Sequence, residues 1–167
     1  MTELKRYPLS ARKNLVHRSS FGRLLEPDPA HWAMIEAWPD FLGARAFRSL
    51  IEGVQRAWKA DKLVGMSIGA HLFKVGLGPT LVDLMERGVL KAVAMHGAGA
   101  IHDFELAYQG ATSEDVRTSL EDGSFGMAED TARAFAEACR SAQASGVGLG
   151  RAFGAQMLDL PFAKESV

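Results

Sequence analysis

The sequence predicts an α/β protein built on an incomplete parallel sheet with helices. Three observations carry this. Residues 62–69 and 89–95 are short, apolar and glycine-bounded, which reads as covered β-strands. The helix between them is entered through Gly76, Gly78 and Pro79 and ended by Gly88, so the three segments form a βαβ unit with a parallel strand pair. Beyond Ile101 the periodicity is helical, with no further strand pattern, so the sheet has too few strands to cover both its faces and edges.

In chain order, residues 1–29 are basic and then proline-bearing, with Arg12, Lys13, His17, Arg18 and Arg23 ahead of Pro27 and Pro29. They lack an apolar period and are expected to form an irregular arm, distinct from the unit at 30–167. Trp32, Ile35 and Trp38 predict a helix over 30–38, and Phe47, Leu50, Ile51, Val54 and Trp58 predict another over 41–59. After the βαβ unit, a helix over 101–109 is stopped by Gly110. Thr112 or Ser113 should cap the next, running to Glu121, with Asp115 three residues after Thr112 as in a capping box. A longer helix over 129–144 turns Ala134, Phe135, Ala138 and Ala142 inward, and a short one lies near 151–158. Met66, Met85, Met95 and Met127 read as core filler.

Composition narrows the function classes. With 167 residues the chain is long enough for one domain without disulfide or metal staples. It is 47% hydrophobic, and 19 basic residues balance 20 acidic ones, which excludes a disordered tail and a bulk-charge binder of nucleic acid. One cysteine, Cys139, leaves no disulfide framework and fits a reducing compartment. No apolar run approaches the roughly 20 residues needed to cross a bilayer, so a soluble cytoplasmic protein is expected.

Ligands of open α/β sheets lie beyond the C-terminal strand ends, where helix N-termini offer amides to anionic groups. Here that crevice is lined by Gly69-Ala-His-Leu-Phe-Lys-Val-Gly76 and by His96-Gly-Ala-Gly-Ala-Ile-His-Asp-Phe-Glu105. Gly97 and Gly99 either admit a ligand close to backbone or form a turn of positive φ; the third glycine of a dinucleotide fingerprint is missing. Asp103 and Glu105, two apart on a helix, point away from one another, whereas His102 and Glu105 can share a face. Both carboxylates also suit a helix's first turn, His71 and Lys74 suit a solvated loop edge, and the spacing of the histidines offers no metal site.

Four ordered blocks together resemble the bacterial deoxyhypusine synthase-like proteins: Gly69-Ala-His-Leu-Phe-Lys-Val-Gly-Leu-Gly-Pro79, His96-Gly-Ala-Gly-Ala-Ile-His-Asp-Phe-Glu105, Thr112-Ser-Glu-Asp-Val116 and Asp122-Gly-Ser-Phe-Gly-Met127. The resemblance runs from about residue 40 onward. It implies a Rossmann-like sheet and an NAD-dependent transferase that oxidises a polyamine or related amine to an imine and passes the aminoalkyl group to an acceptor amine. By position it puts Gly69, Ala70, His71, Lys74, Gly97, Ala98 and Gly99 near the cofactor, and His96, His102, Asp103 and Glu105 among the catalytic candidates near the amine. Consecutive acidic residues end the second block in deoxyhypusine synthase itself, where this sequence has His102 and Asp103.

Members of that family are about twice as long, and the lysine that carries their imine lies in the C-terminal half. Together with the strand deficit, this leads to the expectation of a split enzyme. The chain would be the N-terminal half, completed by a C-terminal-half subunit within a higher hetero-oligomer, and would bind a small amine but neither nucleic acid nor membrane. The alternative is a noncatalytic scaffold or regulatory subunit of such an enzyme; a stand-alone ligand-binding module is disfavoured by the missing strands.

Overall fold

In a computed structural model, which describes residues 5–167, the chain is mixed α/β with its strands in two separate pairs. Strands β1 (Asn14–His17) and β4 (Ala111–Glu114) are antiparallel, while β2 (Gly65–Ile68) and β3 (Ala92–Met95) are parallel and in register from Gly65 opposite Ala92 to Ile68 opposite Met95. Eight α-helices, with three short 3-10 helices at Leu9–Ala11, Arg18–Ser20 and Ala163–Glu165, complete the described residues: α1 (Pro29–Glu36), α2 (Leu42–Lys59), α3 (His71–Lys74), α4 (Gly78–Glu86), α5 (Gly97–Gln109), α6 (Val116–Glu121), α7 (Glu129–Ser145) and α8 (Leu149–Met157). No helix among them is long and apolar enough to cross a membrane.

The βαβ unit stands as the sequence predicts, with β2 and β3 joined through α4, which Gly88 ends at φ 68°. Its strands are not covered, however. Ile68 is buried in a cluster with Phe73, Leu81, Leu90 and Leu106, but Gly65, Met66, Ser67, Ala92 and Ala94 are exposed. Met66 and Met85 are therefore surface residues, not filler.

Two expectations are corrected by the second pair. Residues 14–17 of the arm form β1, and residues 111–114, expected to cap a helix, form β4. Gly110 at φ 69° ends α5 and reverses the chain, which returns beside β1 with Val16 opposite Thr112. The capping box does not form, because Thr112 is drawn into the interior and α6 starts only after Asp115. Strand-length pairing with a segment almost a hundred residues away overrides the local capping signal. The arm continues inward: Leu9 is fully buried with Phe104, Ala128, Ala138 and Phe153, and its N–H donates to Asp130 Oδ2 at 2.7 Å. The first four residues of the expected arm lie outside the described residues.

Helices α1 and α2 form at the predicted places yet contain no buried residue. They are joined by the Arg48 guanidinium, which donates to the carbonyls of Ile35 at 3.1 Å and Trp38 at 2.9 Å, and by Trp38 against Phe47. The apolar stripe of α2, including Leu50 and Trp58, faces solvent.

Candidate functional site

Helix α5 leaves β3 directly, so the segment expected as a glycine loop is its first turn. Gly97 and Gly99 are helical and neither has positive φ, which excludes the turn explanation for them. His96 caps the helix: its Nδ1 accepts from the Ala98 N–H at 3.2 Å and its carbonyl accepts from Gly99 N–H at 2.9 Å. These amides are thus engaged within the chain and are not open donors for an anion.

Because successive residues on a helix point about 100° apart, α5 distributes its functional side chains to two sides. On one side a cavity of about 280 Å³ is lined by Arg12, Lys74, Ala98, His102, Glu105 and Ser113, among others. On the other, a cavity of about 520 Å³ is lined by His96, Gly97, Asp103, Gly150, Gly154 and a largely apolar remainder. His102 and Asp103, both expected beside the amine, are therefore separated, whereas His102 and Glu105 do share a face.

Glu105 is 2% exposed and saturated with donors. Arg12 grips it with Nη1 to Oε1 at 2.9 Å and Nη2 to Oε2 at 2.5 Å; Thr112 Oγ1 donates to Oε2 at 2.5 Å and Thr131 Oγ1 to Oε1 at 3.3 Å. A carboxylate so engaged is an anchor, and its lone pairs are not free for proton transfer. Burial works against the charge on Arg12, but the bidentate bond to Glu105 prevails and raises its pKa. His102 Nδ1 lies 2.7 Å from Thr112 Oγ1. Burial pushes its pKa below the ordinary histidine value; Glu105 opposes the shift, while Lys74, Arg12 and His71 add to it. Burial therefore favours the neutral ring.

Ser113 lines the same cavity with its Oγ buried and without a partner, at a backbone φ of 64°. A non-glycine residue there stores strain of about 1–3 kcal/mol, a feature that recurs at functional sites. Glu114 is held by Tyr7 Oη at 3.1 Å and the Gly126 N–H at 2.9 Å.

Asp103 is 3% exposed and accepts from Ser166 Oγ at 2.7 Å and from the Val167 N–H at 3.1 Å. Burial raises its pKa, and those two hydrogen bonds reduce the rise. The remaining expected cofactor residues scatter. Gly99 is buried, and a Cβ there would meet Met95 at 3.3 Å and Phe73 at 3.4 Å, so it serves close helix–strand packing instead of ligand approach. Gly69, Ala70 and His71 line neither cavity; His71, exposed, opens α3, and Lys74 closes that helix at the smaller cavity.

The larger cavity can be tested against a dinucleotide. A Cβ at Gly97, Gly150 or Gly154 would meet nothing within 4 Å, so this wall offers open backbone to a flat ring or a sugar. No lysine or arginine lines it. These residues fit the nucleoside half of such a cofactor, and the charge of a pyrophosphate would need a cation from outside the cavity.

Arg12, Thr112, Ser113 and Thr131 escape the sequence reading. One signal points to Arg12: a carboxylate set between Phe104 and Leu106 on a buried helix demands a cation, and the basic arm is a ready source. Comparisons with protein-family models, curated proteins and solved structures give no significant match.

Proposed function

We propose that this chain is a subunit of a deoxyhypusine synthase-like, NAD-dependent transferase that oxidises a small amine to an imine and passes its aminoalkyl group to an acceptor amine. The observation that carries the reading is α5 itself. It starts at the C-terminal end of a parallel strand, with a glycine-lined cavity on one side and, on the other, a cavity bordered by Arg12, Lys74, His102 and Glu105. Bound NAD supplies a hydride acceptor. Gly97, Gly150 and Gly154 would face its nucleoside, its nicotinamide would have to reach round the N-terminal end of α5, where Gly97 lines one cavity and Ala98 the other, and His102 would take a proton from the substrate amine there. Glu105 and Arg12 hold that histidine's surroundings fixed from behind, while His96 and Asp103 stand on the cofactor side.

The exposed β2–β3 surface and the bare stripe of α2 support completion by another polypeptide, the C-terminal-half subunit with the imine-carrying lysine, within a cytoplasmic hetero-oligomer. The test uses the protein recovered from its native cells together with whatever it is bound to. NAD should bind the wild-type assembly, and Gly97→Leu, which adds a side chain where space is open and suits a helix, should abolish binding and turnover while the assembly stays intact. Unchanged turnover in that variant favours the scaffold reading. A purified single chain that is monomeric and fully active ends the split-enzyme reading.

A further inference from the structure

We infer that Thr112 is a positioning residue that fixes His102 in one tautomer, with the proton on Nδ1 and the lone pair of Nε2 left for a ligand in the smaller cavity. Thr112 Oγ1 is completely buried and lies between two partners, Glu105 Oε2 at 2.5 Å and His102 Nδ1 at 2.7 Å. A hydroxyl has one proton to give, and the carboxylate, already paired with Arg12, can only accept it. The oxygen is then an acceptor toward the ring, so Nδ1 carries hydrogen and, in the neutral ring, Nε2 does not.

The fold makes this arrangement stiff. Glu105 and His102 lie one turn apart on α5, and Thr112 reaches both because Gly110 reverses the chain and β1 holds β4 in place with Val16 opposite Thr112. Arg12 enters from the other side of the carboxylate, and its side chain is only 7% exposed. Four residues from the arm, α5 and β4 thus form one buried chain, Arg12 to Glu105 to Thr112 to His102, that ends on the cavity. The charged and titratable groups acting on His102 are Glu105 on its own helix, Lys74 and His71 on α3, and Arg12 from the arm. None of them bonds to Nδ1, so the tautomer rests on Thr112.

The role of the free Nε2 rests on the proposed amine chemistry, but the tautomer does not, and the experiment separates them. ¹⁵N NMR of histidine-labelled full-length protein at pH 7 should show His102 as the Nδ1–H form in the wild type and in Thr112→Ser. In Thr112→Val it should show a tautomer mixture. Turnover of amine and NAD by the native assembly should fall about 10-fold or more in Thr112→Val, the scale on which a misdirected general base acts, and recover in Thr112→Ser. An Nε2–H wild-type ring, or an unchanged ring in a folded Thr112→Val, overturns the inference; the wild-type spectrum decides even if Thr112→Val does not fold. The expected NMR result in an assembly that oxidises no amine upholds the role of Thr112 and removes the functional reading.

Discussion

Strands β1 and β4 join segments almost a hundred residues apart, and, Ser113 Oγ apart, the polar groups gathered behind them are bonded: Arg12 to Glu105, Glu105 to Thr112 and Thr131, Thr112 to His102. Strands β2 and β3 come from a compact βαβ unit, yet most of their residues face solvent, and the nearby α1–α2 pair buries none. The polar network behind the long-range pair is sealed, although Leu15 of β1 faces solvent, and the local pair is open. Sequence proximity makes a supersecondary unit form; it does not provide the surfaces that cover it. Exposed large apolar residues are frequent on α2 and β2, with Leu50, Trp58 and Met66 among them.

The largest effect should come from breaking the sealed region. Arg12→Ala leaves Glu105 buried without its cation and should lower stability by about 3–5 kcal/mol, measured by denaturant unfolding. Arg12→Lys should recover only part of this, since one ammonium cannot reproduce the two-bond grip. A loss below about 1 kcal/mol in Arg12→Ala means that the ion pair does not hold the arm down.

Next in size is Gly99→Leu, which forces a side chain against Met95 and Phe73 and should cost about 1–3 kcal/mol through overpacking. Gly97→Leu, two residues away in open space, should leave the melting temperature almost unchanged. Equal losses in the two variants contradict the division of α5 into a packed and an open side.

The pH dependence should carry two opposite slopes. His102 titrates lower in the fold than unfolded, so its contribution to stability is lost as pH falls through the window just below the ordinary value of about 6.5. Asp103 titrates higher in the fold, so stability falls as pH rises from about 3.9 through its raised value. Asp103→Asn, which keeps one acceptor oxygen for the Val167 N–H and can donate its amide to Ser166 Oγ, should match the wild type at the acid end and be as stable or more stable at pH 7 in thermal melts. A marked loss at pH 7 shows that the charge itself is needed. The smallest effect on stability belongs to the open region: Leu50→Glu and Met66→Lys should change it by about 0.5 kcal/mol or less. Both should nevertheless weaken assembly in sedimentation measurements on the native complex.

Much of the fold is legible because it depends on local patterns. Gly88 and Gly110 stop their helices, Pro79 stands in the first turn of α4, and the apolar runs at 65–68 and 92–95 pair in parallel. The sealed region is not legible in the same way. Asn-Leu-Val-His of β1 and Ala-Thr-Ser-Glu of β4 have no period-two apolar face, and their structure comes from one another and from the buried Glu105. The site follows the same division. His102 and Glu105 sharing a face is a matter of helical spacing, whereas Arg12 and Thr112 are recruited through tertiary pairing. Gly97 and Gly99 look equivalent in the sequence and differ only in what surrounds them.

The most direct test of the central claim, that the two sides of α5 bring an amine and a nicotinamide together, is a single-turnover absorbance measurement. The native assembly is mixed with NAD and a small diamine. Reduced nicotinamide should form only when protein, NAD and diamine are all present, in an amount set by the number of sites. An intact assembly that binds no NAD and reduces none at saturating diamine contradicts the account.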